Sequence, residues 1–229
     1  MRRVSPRLVS SQPAWLFTLL VIASCGLDAE APPPANEPAA ESSDALPLSR
    51  AGGELVGDAA QPFADDLQWI HGEPRTIESL RGEVVYVRFW TDTCPYCQAS
   101  APGLSRLHER YGARGLTVLG LYHPKPRGAK MDVDAVKRRV QELGMEFSIA
   151  SDPRWDTLDR WWLRAGAGER RATSVSFILD RAGVIRWIHP GPELHPGGPP
   201  DHEQCRADFA DAERVIEALL AEPSPVASS

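Results

Sequence analysis

From about Leu55 to Glu222 the chain predicts an α/β domain built on a layered sheet, on three observations. Short β-branched and aromatic runs alternate with segments of helical periodicity. The last two runs flank the turn sequence Asp180-Arg181-Ala182-Gly183. A Cys-x-x-Cys pair stands between the first long run and the first helical segment.

The elements follow in order. Met1 to Ser24 has a basic start (Arg2, Arg3, Arg7), an apolar run from Ala14 to Ala23 and small residues before Cys25, the layout of an export signal. The run is too short for a convincing membrane span. Ile22-Ala23-Ser24-Cys25 resembles a bacterial lipobox, which implies that Cys25 is lipidated and becomes the mature N-terminus; a plain secretory signal is the alternative. Gly26 stands where an Asp holds some lipoproteins at the inner membrane, so this resemblance favours an outer-membrane anchor facing the periplasm. Residues 25–54, rich in Pro, Ala and Glu, bury too little apolar surface to offset ordering entropy and read as a disordered, extended tether. The domain then spans 55–222, and 223–229 is a disordered tail.

Within the domain, Val84 to Trp90 has the profile of a buried strand, with Arg88 its one polar interruption. Gln98 to Tyr111 is helical, with Leu104, Leu107 and Tyr111 on one face and Gly112 and Gly115 at its end. Leu116 to Tyr122 is a second strand, Asp132 to Leu143 a helix, Phe147 to Ala150 a strand and Trp155 to Leu163 a helix. Ser176 to Leu179 and Val184 to Ile188 form the hairpin. Asp208 to Leu220 closes the domain as an amphipathic helix.

Composition bounds the chemistry. With 42% apolar residues among 229, a core forms without disulfide staples or a structural metal. The formal charge is −6, and without the first segment 22 basic residues face 31 acidic ones, a poor surface for nucleic acid. There is no internal repeat and no Gly-rich phosphate loop, and no cofactor is implied.

Cys94-Pro95-Tyr96-Cys97 carries the chemistry. A strand followed directly by a helix puts Cys94 at the helix N-terminus, where unpaired N–H groups and the dipole favour a thiolate. Pro95 fits the first helical position because its missing N–H would be unpaired there anyway. Cys97, one turn inward, is placed to attack a mixed disulfide on Cys94. Half of a zinc site is the alternative; its remaining ligands would have to come from His195, His202 and Cys205, which lack regular finger spacing. A structural disulfide across so short a loop would remove little unfolded-state entropy.

Val84 to Cys97, with Pro102 five residues later, resembles the active-site strand and kinked helix of thioredoxins. Trp69 to Glu83 resembles the hairpin and turn that open the TlpA-like and redoxin branch, and Phe177 to Ile185 its later strand and turn. The resemblance covers about Phe63 to Leu220. It implies a thioredoxin-like fold, with a central mixed β-sheet flanked by helices, and an envelope thiol–disulfide oxidoreductase that exchanges disulfides with partner proteins. The resemblance favours a reductase supplied by a membrane thiol relay of the DsbD type, while the envelope location and the Pro-Tyr dipeptide leave oxidase or isomerase open. Trp90, Thr91, Thr93, Pro95, Tyr96, Thr173 and Ser174 would surround the cysteines.

This chain departs from the family at three points. Ser174 stands where the family has a cis-proline facing the cysteines, so Thr173 or Ser174 would accept the substrate backbone. Arg88 stands where thioredoxin has a buried Asp, and would favour thiolate if it points inward. Thr93 replaces the tryptophan usual before the first cysteine, leaving Trp90 as the wall residue. The Pro-Tyr dipeptide resembles that of glutaredoxins, whose potentials are roughly −200 to −230 mV.

Two other readings stand beside this one. Thr91-Asp92-Thr93-Cys94 matches the Thr-x-x-Cys of peroxiredoxins, in which Thr91 would orient a peroxide at Cys94. Their proline is Val87 here, and their later arginine is Ser174. His189, His195, His202 and Cys205 crowd a Pro/Gly-rich segment and form a conceivable soft-metal set, which would suit a copper-binding metallochaperone of the Sco type. The bland expectation is a surface loop with solvated histidines and an inert Cys205 buried at the start of the last helix. A non-catalytic binding module remains the contrary class. His71, His108 and His123 receive no role, and Trp155, Trp161 and Trp162 are expected in the core or lining a groove.

Overall fold

The computed structural model describes residues 52–166 and 170–223. The export segment, Cys25 and nearly all of the tether lie outside the described residues, as does the tail from residue 224. Among the described residues no helix is long and apolar enough to cross a membrane.

The strand Val84–Trp90 (β2) organises the sheet, and all seven of its residues are buried. It follows β1 (Gln68–His71) and leads into helix α1 (Pro95–Tyr111). Beyond α1 come β3 (Leu116–Tyr122), α2 (Val133–Glu142), β4 (Ser148–Ser151), α3 (Asp156–Leu158), β5 (Ser176–Leu179), β6 (Ile185–His189) and α4 (Glu203–Ala221). The strand order is β1-β4-β3-β2-β5-β6. β2 pairs parallel with β3, from Val84 opposite Leu116 to Trp90 opposite Tyr122, and antiparallel with β5 on its other side. β4 lies parallel to β3, while β1 and β6 close the two edges antiparallel. This is the mixed sheet expected.

Side-chain alternation along β2 divides the core. Val84, Tyr86 and Trp90 face α1, α2 and α4, packing with Leu104, Leu107, Val140, Phe209 and Ile216. Val85, Val87 and Phe89 face the other layer, formed by Ile77, Leu80, Trp155, Leu158, Trp161, Trp162 and Phe177. Arg88 therefore shares the inner face of Tyr86 and Trp90 and is buried with them.

Four expectations need correction. The opening hairpin is absent: Trp69 to Glu83 contributes one strand, β1, whose partner is the distant β4. After it Pro74 lacks a donor, and Thr76 and Ser79 exchange backbone-to-hydroxyl hydrogen bonds (2.9 and 3.1 Å) that turn the chain instead. The helix expected over Trp155 to Leu163 is α-helical only through α3 and widens into a π turn, Asp159–Leu163. That widened turn accompanies two consecutive tryptophans that both face inward, Trp161 Nε1 donating to Gln61 O and Trp162 Nε1 to Ala172 O. The last strand runs one residue later than expected and takes in His189. The last helix starts five residues early, at Glu203, and so carries Cys205 in its first turn.

Candidate active site

Cys94 is the N-cap of α1, in an extended conformation (φ −88°, ψ 116°), with Pro95 at the first helical position and Pro102 inside the helix. The backbone N–H groups of Cys97 and Gln98 both donate to Cys94 O at 3.1 Å, which sets the first turn. Cys94 is half-buried and Cys97 is buried, and both are free thiols. The sulfur of Cys97 lies 3.0 Å from Ser174 Oγ.

These surroundings split the two thiols. Burial opposes ionisation of Cys94, but the backbone N–H groups of Cys97 and Tyr96, the Cys97 side chain and the Ser174 hydroxyl outweigh it and pull its pKa below the ordinary thiol value. For Cys97 burial dominates and pushes the pKa up, against the opposing pull of the Arg88 charge and the Ser174 hydroxyl. The half-buried Cys94 thiol is thus the more readily ionised of the two.

Arg88 points inward. Its guanidinium donates to Ser176 Oγ (3.0 Å), Pro192 O (2.6 Å) and Gly191 O (3.5 Å), all neutral oxygens. The charge is thus not cancelled at contact distance by any of its acceptors, and it reaches Cys97.

The other expected residues divide. Trp90 is buried and packs edge-on against Tyr122 (centroids 5.3 Å apart), in the apolar cluster that also takes in Cys97 and meets Cys94. Thr91 is buried, its hydroxyl donating to the Asp92 carboxylate at 3.3 Å. Thr93 and Tyr96 are exposed, Tyr96 at 50%, so both are open to a partner. Thr173 is buried, and its hydroxyl has no hydrogen-bond partner among the described residues. Ser174 sits against the cysteines, at the place the resemblance implied, with a trans peptide before it.

The sequence pattern gave no sign of the polar group around Asp92. Tyr122 Oη donates to its carboxylate (3.2 Å) and Gln98 Nε2 to its carbonyl (2.9 Å), so the turn between β2 and α1 is held from β3 and from the helix. His123, assigned nothing, is buried at the end of β3 and meets Trp155 edge-on, with centroids 5.0 Å apart.

The late histidines are not the solvated loop expected. His189 lies on β6, stacked on Trp187 and bonded through Nε2 to Asp208 (3.2 Å). His195 is also buried, and it gathers with His202, Cys205 and the unanticipated Glu193. Packing of the loop against α1 causes this, since Leu194 N–H donates to Ser100 Oγ at 3.0 Å.

Comparison with known proteins agrees with this architecture. The chain is 28% identical over 169 residues to protein DipZ of Mycobacterium tuberculosis, an alignment covering 71% of this chain but only 21% of DipZ. It is 24% identical over 136 residues to the thiol-disulfide oxidoreductase ResA of Halalkalibacterium halodurans, covering 59% of this chain and 69% of ResA. The crystal structure of a thiol-disulfide isomerase from Corynebacterium glutamicum superimposes with a TM-score of 0.54 at 26% identity, over 72% of this chain and 98% of that one. The sequence profile of the AhpC/TSA family matches residues 56–188, from the entry to the domain through nearly all of β6 and across both cysteines. By that match the chain belongs to the AhpC/TSA family.

Proposed function

We propose that the chain is an exported thiol–disulfide oxidoreductase that reduces disulfides of envelope proteins, with Cys94 attacking and Cys97 resolving. The observation that carries this reading is geometric: Cys94 caps the N-terminus of α1, half-buried, with the buried Cys97 one turn inward and its sulfur 3.0 Å from Ser174 Oγ. The Cys94 thiolate attacks one sulfur of a partner disulfide, forming a Cys94–partner mixed disulfide and expelling the other partner sulfur as thiolate. Cys97 then gives its proton to the partner thiolate expelled in the first step or to solvent, with the Ser174 hydroxyl and the Arg88 charge stabilising the anion, and attacks the Cys94 sulfur. The Cys94–Cys97 disulfide forms, the second partner sulfur leaves as thiolate, and two electrons have passed to the partner.

Thr173, whose buried hydroxyl is unpaired among the described residues, and the exposed Tyr96 flank the pair as contacts for the partner chain. Restoring the dithiol requires an external dithiol, and in an oxidising envelope a membrane thiol relay of the DsbD type would supply it. A lipid on Cys25 would tether the domain to the envelope, with the outer membrane favoured by Gly26. Radiolabelled fatty acid incorporated into the wild type and not into Cys25→Ser is the expected result for the anchor.

The test of the activity is a redox titration of the full chain against glutathione and dithiothreitol, with insulin reduction and peroxide consumption measured alongside. A two-electron couple that requires both Cys94 and Cys97 supports the reading. Rapid peroxide turnover surviving Cys97→Ser would replace it with a peroxidase, and function unaffected by loss of both thiols with a binding module.

A further inference from the structure

The chain between β6 and α4 is pinned at two points. Gly191 and Pro192 offer their carbonyls to Arg88, and Leu194 N–H donates to Ser100 on α1. These anchors present Glu193 and His195 to one spot, to which the first turns around α4 return His202 and Cys205.

The four groups meet at ligand-to-ligand spacing. His195 Nε2 lies 2.9 Å from Glu193 Oε1 and 3.1 Å from His202 Nδ1, and His202 Nδ1 lies 3.5 Å from Glu193 Oε1. With Cys205 Sγ included, all four ligand atoms fall within 4.8 Å of one another. A tetrahedral ion with N and O ligands at about 2.05 Å separates them by about 3.3 Å, and a sulfur at about 2.3 Å stands about 3.6 Å from its neighbours. The three N and O separations straddle the first value.

Hydrogen bonding alone serves this cluster badly. A carboxylate only accepts, and each neutral imidazole nitrogen either donates or accepts once. Two nitrogens and one oxygen in mutual contact therefore leave two of their three edges unpaired, or two N–H groups opposed. A cation at the centre takes a lone pair from each.

The backbone is also shaped to the cluster. Gly198 has φ +92°, and a Cβ there would come within 2.6 Å of His195 Cε1 and 3.1 Å of His202 Nδ1, so only glycine lets the loop close over both imidazoles. A groove of about 530 Å³ between α1 (Pro102, Gly103, Arg106) and this loop (His195, Gly198, His202) leads to it from solvent.

We propose that Glu193, His195, His202 and Cys205 form a four-ligand Zn²⁺ site that clamps the β6–α4 loop to the start of α4. Two imidazoles, a thiolate and a carboxylate suit a borderline ion such as Zn²⁺ and are a poor set for Mg²⁺ or Ca²⁺. Four protein ligands complete the coordination, so the site is structural. It is independent of the exchange chemistry at Cys94 and Cys97 and survives if that reading fails.

Co²⁺ is the probe, added to the full chain carrying Cys25→Ser, Cys94→Ser and Cys97→Ser so that Cys205 is its one thiol. One equivalent bound with tetrahedral ligand-field bands and a thiolate charge-transfer band, displaced by Zn²⁺, is the expected result. Cys205→Ser removes the charge-transfer band, and His202→Ala, at a half-exposed position that tolerates truncation, weakens binding at least about tenfold. Zn²⁺ raises the unfolding temperature of the parent and not of His202→Ala. Absence of stoichiometric binding, an octahedral spectrum without the thiolate band, or binding unchanged in both variants overturns the proposal.

Discussion

Ser174 Oγ rests 3.0 Å from the sulfur of Cys97, so a hydroxyl stands beside that thiol at the position where the thioredoxins this chain resembles have a proline. A hydroxyl can donate to a thiolate and accept from a thiol, which a proline cannot. In the proposed exchange the second step thereby has a local hydrogen-bond partner for the Cys97 thiolate. Ser174→Ala should raise the Cys97 pKa further and slow release of the mixed disulfide by about tenfold, with the first attack by Cys94 less affected. Rapid-quench trapping of the mixed disulfide reads this directly, and equal rates in both halves would contradict it.

Arg88 is the next lever, because it is buried and yet its hydrogen-bond acceptors among the described residues are neutral oxygens. Arg88→Met removes the charge that lowers the Cys97 pKa and leaves the carbonyls of Gly191 and Pro192 without their donor. A loss of about 2–4 kcal/mol is expected in denaturant unfolding, together with a higher Cys97 pKa in alkylation profiles. Arg88→Lys should recover part of the pKa effect but not the two-carbonyl geometry.

Because the two thiols are displaced in opposite directions, the reduced protein has a pH signature. Cys94 ionises below the ordinary thiol value of about 8.5, so its contribution to stability grows as pH rises from its own pKa to that value and is lost as pH falls through it. Cys97 ionises above, so its contribution is present below about pH 8.5 and is lost as pH climbs through its own pKa. Stability of the dithiol form relative to the Cys94→Ser, Cys97→Ser protein should therefore peak near the ordinary thiol value. A monotonic difference between the two curves would contradict the split.

His123 sets the acid side. Burial, reinforced by the positive charges of Lys125 and Arg88, lowers its pKa to about 3. The native state keeps it neutral while the unfolded chain takes a proton below about pH 6.5, so stability falls as pH drops from there toward 3. His123→Phe should flatten that slope, whose full extent is about 5 kcal/mol at most. Nitrogen chemical shifts of the His123 ring should show no titration between pH 5 and 8.

Gly120 tests the packing under the site. It lies opposite Arg88 in the β2–β3 register, and a Cβ there would come within 2.5 Å of Ile149 Cδ1 and 3.1 Å of Trp90 Nε1. Gly120→Ala should cost about 1–3 kcal/mol and disturb Trp90 fluorescence, because neither neighbour has room to give.

Where a segment's fate depended on its own residues, the sequence was a good guide. β2, β3 and β5 are mostly apolar runs bounded by turn residues, and their ends were legible to the residue. The Cys94–Cys97 pair was legible from its spacing after a strand. Arg88 was ambiguous only because its inward position follows from alternation with Tyr86 and Trp90, while its partners lie about a hundred residues on. Asp92, Tyr122 and Gln98 come together through parallel pairing that no local pattern announces. Glu193 carried no signal at all: its meeting with His195, His202 and Cys205 depends on the loop lying against α1 and on α4 beginning five residues earlier than its apolar periodicity suggested. The opening hairpin was misread because a four-residue strand does not reveal which edge it will seek.

The placement of β2 between two paired neighbours has a consequence for how this molecule would move. A strand hydrogen-bonded on both sides is the last part of a sheet to open, so its amides should be among the slowest to exchange with deuterium. The cysteines hang from the end of that strand as from a fixed anvil. Adaptation to differently shaped partners must then come from the exposed Thr93 and Tyr96 and from the loops facing them, and variation in what the protein accepts can accumulate there without loosening the platform that does the chemistry.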